Sequence, residues 1–246
     1  MKKKVEWFAE WDDSRSTILD ISLPPFDTLD MVSADIMKKY PNYDHYQCPA
    51  FQDSLNNTFI LRCPIDISIK VNKKNNVLQI SSDACSIPMI SGRPSENTRF
   101  QLFSFQYFFT FISKHDDIMV EQLPALYHKN DFTDKCQIII GRFNIGKWIR
   151  PIEMGAVMIT SESEEDIFIN IKKGDAISYI RFICDDNIVT KRLEDIVEIK
   201  KILEIGKACT DVKKFSPRLS LKKLYDLFKP YNPIYKKSCP FNIFKK

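Results

Sequence analysis

Several cationic and aromatic side chains are of types that could bind an anion jointly. The predicted ligand-binding residues are Arg150, Lys147, Trp148, Arg181, Arg62 and Asn57. An arginine offers a planar fork of donors that matches a carboxylate or a phosphate. Pro151 favours extended backbone at Arg150, which suits an arginine at the mouth of a β-structure. The alternative is structural: Arg150 stacks on Trp148 and pairs with Glu153.

Two groups of metal-ligand residue types occur, but neither has the spacing of a known metal site. The alternative metal ligands are His45, Cys48, His115, Asp117 and His128. The first two lack the second close pair that a structural zinc site needs. The other three superficially match a two-histidine, one-carboxylate iron site, but their histidines lie too close in sequence to face each other from opposite strands. We therefore predict no metal site, a turn over Cys48–Phe59 and a polar loop over His128–Asp131.

The sequence contains no motif of a nucleophilic or phosphate-binding enzyme. It has no Ser/His/Asp elbow, no Gly-x-Gly-x-x-Gly loop and no Walker loop, and its 6 glycines argue against backbone cradling of phosphates. Cofactor-dependent redox chemistry is not expected, and the sequence assigns no cofactor and no catalytic residue. An enzyme would bring several polar residues around one cleft. The candidates for such a cleft are His45, His128, Arg62, Arg150 and Asp175.

The charge balance and the cysteine content argue against a nucleic-acid-binding protein and against a disulfide-bonded one. The 36 basic residues exceed the 32 acidic ones by too little to indicate nucleic-acid binding. The 7 cysteines are odd in number and contain no Cys-x-x-Cys pair, which favours reduced thiols and a cytoplasmic setting, including that of an infected host. The basic start runs into acidic residues, so we expect no signal peptide. The apolar run Phe100–Ile112 is too short to span a bilayer as a helix, and we expect no membrane segment.

Two-residue alternation in the middle of the chain predicts β-strands. Phe103, Phe105, Tyr107, Phe109 and Phe111 fall on one side of a predicted strand, and an aromatic ladder of this kind is typical of sheet core. An exposed ladder would instead offer a stacking platform. The other predicted strands cover Thr58–Cys63, Ile65–Val71, Val77–Ser81, Ile118–Val120, Cys136–Ile140, Ile145–Glu153, Met154–Thr160 and Ile167–Phe182, the last with a turn at Gly174–Asp175.

Helical spacing near both ends completes the predicted fold. The N-terminal helix follows Leu29, Val32, Ile36 and Tyr40, with Asp27 or Thr28 as its cap and Pro41 as its end. The C-terminal helices cover 193–205, ending at Gly206, and 221–228, capped by Ser220. We expect a mainly β, α+β protein with a β-sandwich or jelly-roll-like core. In this single domain, 1–44 would be an N-terminal extension with the short helix, 45–190 the β core and 191–246 a helical appendage with an extended tail.

Two resemblances bear on function. Lys172–Ile180 is similar to the strand opening of the dUTPase and dCTP deaminase β-clip group, whose further catalytic motifs are not found here, so this similarity implies a β-roll more than nucleotide hydrolysis. Longer patterns lie in Cys48–Phe51, Asn57–Phe59, Met119–Pro124, Ile145–Pro151, Lys173–Phe182 and Pro217–Asp226. Together they resemble an uncharacterised protein family of tailed phages, notably marine and cyanobacterial ones, and of some bacteria. That resemblance implies a viral origin and transfers no catalytic residue.

The sequence therefore favours a non-enzymatic phage accessory or structural protein that binds a protein partner or a small anionic ligand. It would act in the host cytoplasm or within the virion, and an oligomer is compatible with this role. The alternative is a β-roll enzyme that acts on nucleotides or uses a bound metal.

Overall fold

The structure is a computed structural model of the chain. It describes residues 2–13, 16–19, 29–72, 77–81, 90–93, 102–105, 107–153, 156–159, 166–216, 218–228 and 230. The fold is mainly β and of the α+β class, which confirms the predicted class. No helix in these ranges is long and apolar enough to cross a membrane.

The described part of the chain contains sixteen strands and six helices. The strands are β1 Lys2–Asp13, β2 Ser16–Leu19, β3 Thr58–Arg62, β4 Ile67–Asn72, β5 Val77–Ser81, β6 Ile90–Arg93, β7 Leu102–Phe105, β8 Tyr107–Ile112, β9 Met119–Pro124, β10 Cys136–Ile138, β11 Gly141–Asn144, β12 Pro151–Glu153, β13 Ala156–Ile159, β14 Ile167–Ile171, β15 Ala176–Ile183 and β16 Asn187–Arg192. The helices are α1 Val32–Lys39, α2 Asp44–Gln47, α3 Pro49–Ser54, α4 Asp131–Lys135, α5 Ile196–Phe215 and α6 Leu221–Phe228.

Four sheets are formed by these strands. Their orders are β12-β8-β1-β16 with β2 paired to β1, β10-β13-β7-β6, β11-β9-β15-β3 and β14-β4-β5. The β1–β16 pair is parallel, and the other described pairs are antiparallel. The predicted hairpin of β4 and β5 is present, with Ile69 opposite Ile80.

The aromatic ladder lies in the core, as predicted, but it does not belong to one strand. Its five rings are all fully buried. Phe103 and Phe105 lie on β7, which pairs with β6 and β13, whereas the other three lie on β8, which pairs with β1 and β12. The alternation continues across the change of sheet because both strands face the same core, where Phe105 packs on Phe132 and Phe111 packs on Phe182.

Residues 2–13, which belong to the predicted N-terminal extension, form an inner strand of one sheet. β1 lies between β8 and β16. Val5, Trp7 and Ala9 pack into the main core, while Phe8 packs on the opposite face against residues that include Ile199 of α5. A strand that is covered on both faces loses the alternation of polar and apolar residues, which is why the sequence pattern did not reveal it.

Ile145–Glu153 was predicted as a strand, but it begins with a turn. Only Pro151–Glu153 is extended in a sheet. The side chain of Asn144 accepts hydrogen bonds from the amides of Gly146 and Lys147, both at 3.0 Å, and its carbonyl accepts from Trp148. Asparagine favours such turns because its side chain replaces a backbone acceptor.

The three predicted helices are present with different bounds. α1 matches the apolar spacing, but its N-cap is Met31 without a side-chain bond, and 27–28 lie outside the described residues. α5 begins after Asp195, which caps it, and continues through Gly206 instead of ending there. A Cβ at Gly206 would lie 3.4 Å from the Ile149 side chain, at ordinary contact distance, so α5 packs against Ile149 at this position. α6 agrees with the prediction, and Ser220 accepts from the amide of Lys223.

Three short helices lie where turns and loops were predicted. α2 and α3 replace part of the predicted turn over Cys48–Phe59 and the residues before it. α4 follows the loop at His128 and begins with a reciprocal cap, in which Asn130 and Thr133 each bond the other's backbone amide. These helices position the residues of the candidate site.

Candidate functional site

Three polar side chains from distant parts of the chain meet beneath α1. The Tyr179 hydroxyl on β15 lies 2.5 Å from Nδ1 of His128, and Nε2 of His128 lies 2.7 Å from the Asp35 carboxylate on α1. The same hydroxyl accepts a hydrogen bond of 3.1 Å from the amide of Tyr127. An ionised carboxylate can only accept, so a neutral imidazole carries its proton on Nε2 and donates it to Asp35, and its Nδ1 accepts from the Tyr179 hydroxyl. We call Asp35, His128 and Tyr179 the polar triad.

Arg62 at the end of β3 extends this network. Its Nη2 donates to Asp35 at 2.9 Å, its Nε to Asp30 at 3.2 Å and its Nη1 to the carbonyl of Gly174 at 3.1 Å. The guanidinium therefore joins the start of α1 to β3 and to the turn before β15. Each of its three nitrogens therefore donates to a group of the protein itself.

Burial sets the protonation states in the polar triad. His128 is 6% exposed and Tyr179 is 2% exposed. Burial lowers the pKa of His128 and outweighs the opposing effect of the Asp35 carboxylate. Partial burial acts to raise the pKa of Asp35, but His128 and Arg62 together hold it below its usual value. Burial also raises the pKa of Tyr179. At neutral pH the triad thus contains an anionic carboxylate, a neutral imidazole and a neutral phenol.

An aromatic cluster leads from the polar triad to the surface. We call it the tyrosine cluster, and its members are Tyr40, Tyr43, Tyr46, Phe51 and Tyr127. Tyr127 stacks on Tyr179 at 6.5 Å, and Phe51 packs edge-on against Tyr127 at 5.2 Å. Tyr46 contacts Phe51, Tyr40 and Tyr43, so the rings form one continuous group. The short helices α2 and α3 carry Tyr46 and Phe51, and Tyr43 directly precedes α2.

The outer edge of the tyrosine cluster is open to solvent. Tyr43 is 58% exposed, and Met37 on α1 is 42% exposed. The side-chain amide of Gln52 on α3 contacts the Met37 sulfur at 3.6 Å and the carbonyl of Tyr46 at 3.3 Å, which connects this methionine to the cluster. The remaining rings of the cluster are half-buried. The result is a surface of large, well-supported apolar side chains with hydroxyl groups among them.

In the predicted anion-binding block, Arg150 stacks on Trp148, which is one of the two contacts of the structural alternative. The Arg150 guanidinium lies 5.5 Å from the Trp148 ring centre, while Trp148 is itself buried against Phe143 and Tyr225. Lys147 is half-buried in the same turn. The side chain of Glu153, the expected partner of Arg150, lies outside the described residues.

Asn57 and Arg181 support the backbone around β3. Asn57 is buried in a left-handed conformation, with φ of 53°, and bonds the Asp186 carbonyl and the Ile188 amide. Arg181 donates to the carbonyl of Ser54 at 3.0 Å. The structure thus places Asn57, Arg62 and Arg181 around β3, and Lys147, Trp148 and Arg150 in and after the turn that follows β11.

The alternative metal ligands are not assembled as one site. Within the described ranges, no group of three or more His, Cys, Asp and Glu residues is arranged to hold a metal ion. His45 and Cys48 are exposed beside α2, Asp117 pairs with Lys3 of β1, and His128 belongs to the polar triad.

A small cavity is lined in part by residues on both sides of His128 in sequence. Its volume is about 50 Å³. It is lined by Pro124, Ala125, Leu126, Lys129, Phe132, Thr133, Cys136, Ile138 and Ile177. Burial raises the pKa of the Cys136 thiol to about 12, so this cysteine is an apolar wall and not a nucleophile.

The sequence indicated only one member of the polar triad. His128 stood out as a possible metal ligand, but Tyr179 lies 51 residues and Asp35 lies 93 residues from it. No spacing rule links positions so far apart. The apolar positions of α1 did predict that Asp35 lies on a helix, and the pattern of β15 placed Tyr179 on a strand. Comparison with known proteins adds no guide, because no protein-family model, curated protein or solved structure matches the chain.

Proposed function

We propose that this chain is a non-enzymatic accessory or structural protein of a tailed phage that binds a protein partner through the tyrosine cluster. The observation that carries the proposal is the 58% exposure of Tyr43 at the rim of a packed aromatic group. Tyrosine and methionine are enriched at protein interfaces. Rings that are already fixed by their neighbours lose little conformational entropy on binding.

Two further observations favour a protein partner over the alternatives. The guanidinium of Arg62 and that of Arg181 donate to groups of the protein itself, which argues against a small anion at those positions. The buried state of His128 and Tyr179 argues against an enzyme that uses the polar triad, because their reactive atoms do not face solvent. The triad instead supports α1 and, through Tyr127, the tyrosine cluster.

Site-specific photocrosslinking tests the binding surface. p-Benzoylphenylalanine is introduced in place of Tyr43, and in a separate protein in place of Leu227, an exposed residue of α6. Both are produced in the natural host cells, which are phage-infected if the gene is viral. We expect one discrete protein adduct from position 43, several-fold weaker with Met37→Ala in the same chain, and none from position 227. Equal adducts at both positions, or none at position 43, contradict the proposal.

The phage origin is supported by the sequence resemblance alone, and a sandwich or jelly-roll-like arrangement of the sheets is part of the same proposal. Mass spectrometry of purified particles and of infected-cell lysate distinguishes a virion component from an intracellular one. Absence of the chain from both samples contradicts a phage role.

A further inference from the structure

Side chains of α4 form hydrogen bonds with backbone groups on the outer edge of strand β14. In the sheet β14-β4-β5, β14 pairs with β4 on one side only within the described residues. The Asn170 amide on its other edge donates to the Asp131 carboxylate at 2.6 Å, and the Phe168 carbonyl accepts from Nζ of Lys135 at 2.7 Å. Asp131 and Lys135 also form an ion pair with each other at 2.5 Å.

These contacts depend on how α4 is held. Asn130, which caps α4, donates from its side chain to the carbonyl of Ala176 on β15 at 2.9 Å. The Thr133 hydroxyl donates to the carbonyl of His128 at 2.9 Å. These bonds fix α4 to a neighbouring sheet. Asp131, an acceptor, and Lys135, a donor, lie one helical turn apart on α4, and both face β14. Side chains that cover a strand edge in this way prevent it from pairing with another chain.

The edge of β14 is complementary to itself. If two copies of β14 pair antiparallel about Ile169, Phe168 of each copy lies opposite Asn170 of the other. Residues in such a pair exchange N–H to C=O hydrogen bonds. Each Asn170 amide then donates to the Phe168 carbonyl of the other copy, and these are the atoms that α4 now occupies. Phe168 is also 55% exposed, so pairing adds apolar burial.

We propose that β14 is a strand-pairing surface for a second copy of this chain, which the Asp131 and Lys135 side chains keep closed. This surface is separate from the tyrosine cluster, so it does not rest on the proposed function. When α4 moves away, Asp131 and Lys135 keep their ion pair as an i, i+4 pair, which limits the cost of opening.

Sedimentation equilibrium of a double variant tests the proposal. Asp131→Ala with Lys135→Ala removes both side chains from the β14 edge, and we expect self-association at least about tenfold tighter than that of the unaltered chain. The matched control is Lys129→Ala with Asp134→Ala. This neighbouring pair, at 3.2 Å, has the same net charge as the first, and its removal should leave the association constant unchanged. Self-association of the double variant no tighter than that of the unaltered chain overturns the proposal.

A second comparison establishes that association uses β14. Asn170→Pro in the double variant removes the outward amide proton and should abolish the added association, whereas Asn170→Ala in the same background keeps the proton and should retain it. Association that survives Asn170→Pro overturns the proposal, because another surface is then responsible. If the double variant does not fold, Lys135→Ala alone frees the Phe168 carbonyl and should give a smaller shift in the same direction; no shift overturns the proposal.

Discussion

The imidazole of His128 lies 2.7 Å from the Asp35 carboxylate, and yet the pKa of this histidine is held below its ordinary value. A carboxylate at that distance stabilises the imidazolium, but removal from water disfavours it more strongly. The neutral ring fits the hydrogen bonds around it, because Nδ1 accepts from Tyr179 while Nε2 donates to Asp35. Protonation of Nδ1 would replace this acceptor with a second donor. Stability, charge and hydrogen bonding at the triad are therefore coupled.

Acid should destabilise the fold in two steps. The pKa of His128 in the folded protein lies below 6.5, its ordinary value. The neutral ring therefore makes its full contribution to the free energy of unfolding above pH 6.5, and this contribution is lost as the pH falls from 6.5 through the folded pKa. Asp35 contributes above 3.8 and loses its contribution as the pH falls through its own depressed pKa. Urea unfolding at a series of pH values measures both steps. His128→Gln should remove the upper step, and His45→Gln, on an exposed residue, should leave it; an upper step that persists in His128→Gln is the contrary result.

Tyr179→Phe should lower the free energy of unfolding by about 1–3 kcal/mol. The substitution keeps the ring but leaves Nδ1 of His128 and the amide of Tyr127 without their partner in a buried place. Chemical unfolding at neutral pH measures the loss. Tyr43→Phe is the matched control, because its hydroxyl lies on an exposed ring and its removal should change stability little. Equal effects of the two substitutions would show that the Tyr179 hydroxyl is not a structural contact.

Two substitutions at Asn57 distinguish the effect of its side-chain hydrogen bonds from the effect of its left-handed backbone conformation. Both Asn57→Gly and Asn57→Ala lose the bonds to Asp186 and Ile188, but only alanine also meets steric strain at φ of 53°. We expect alanine to be less stable than glycine here by about 1–2 kcal/mol in the same unfolding experiment. The opposite order of stability would contradict the left-handed conformation.

Gly146→Ala should destabilise the turn after β11. A Cβ there would lie 2.2 Å from the carbonyl oxygen of His115 and 2.8 Å from Cα of Asp116, so backbone must move. We expect a loss of about 1–3 kcal/mol in the free energy of unfolding, as for an overpacked core. Gly141→Ala is the control, since nothing lies within 4 Å of the added methyl group. A Gly146→Ala protein as stable as the control would be inconsistent with this close approach.

Local patterns predicted many of the strands and the three longer helices, and long-range packing determined how they combine. Phe103 and Phe111 alternate with their neighbours, and that short-range signal was enough to place both rings in the core. Trp7 and Phe8 gave no such signal, because β1 is covered on both faces. Arg62 was predicted as a ligand residue, but its partners are Asp35 on α1 and Asp30 just before that helix, in a segment that packs on β3. Residue type reveals the capacity for an ion pair, whereas tertiary structure decides the partner.

The parallel pairing of β1 with β16 has a consequence for biosynthesis. Lys2–Asp13 leaves the ribosome before Asn187–Arg192, which is made after the other strands of the described residues. Until then, the edge of β1 that will pair with β16 is unpaired, and α5 does not yet cover Phe8. Pairings between such distant segments form slowly. Completion of this sheet is therefore a late event, and a nascent chain that lacks Asn187–Arg192 should depend on chaperones to avoid aggregation.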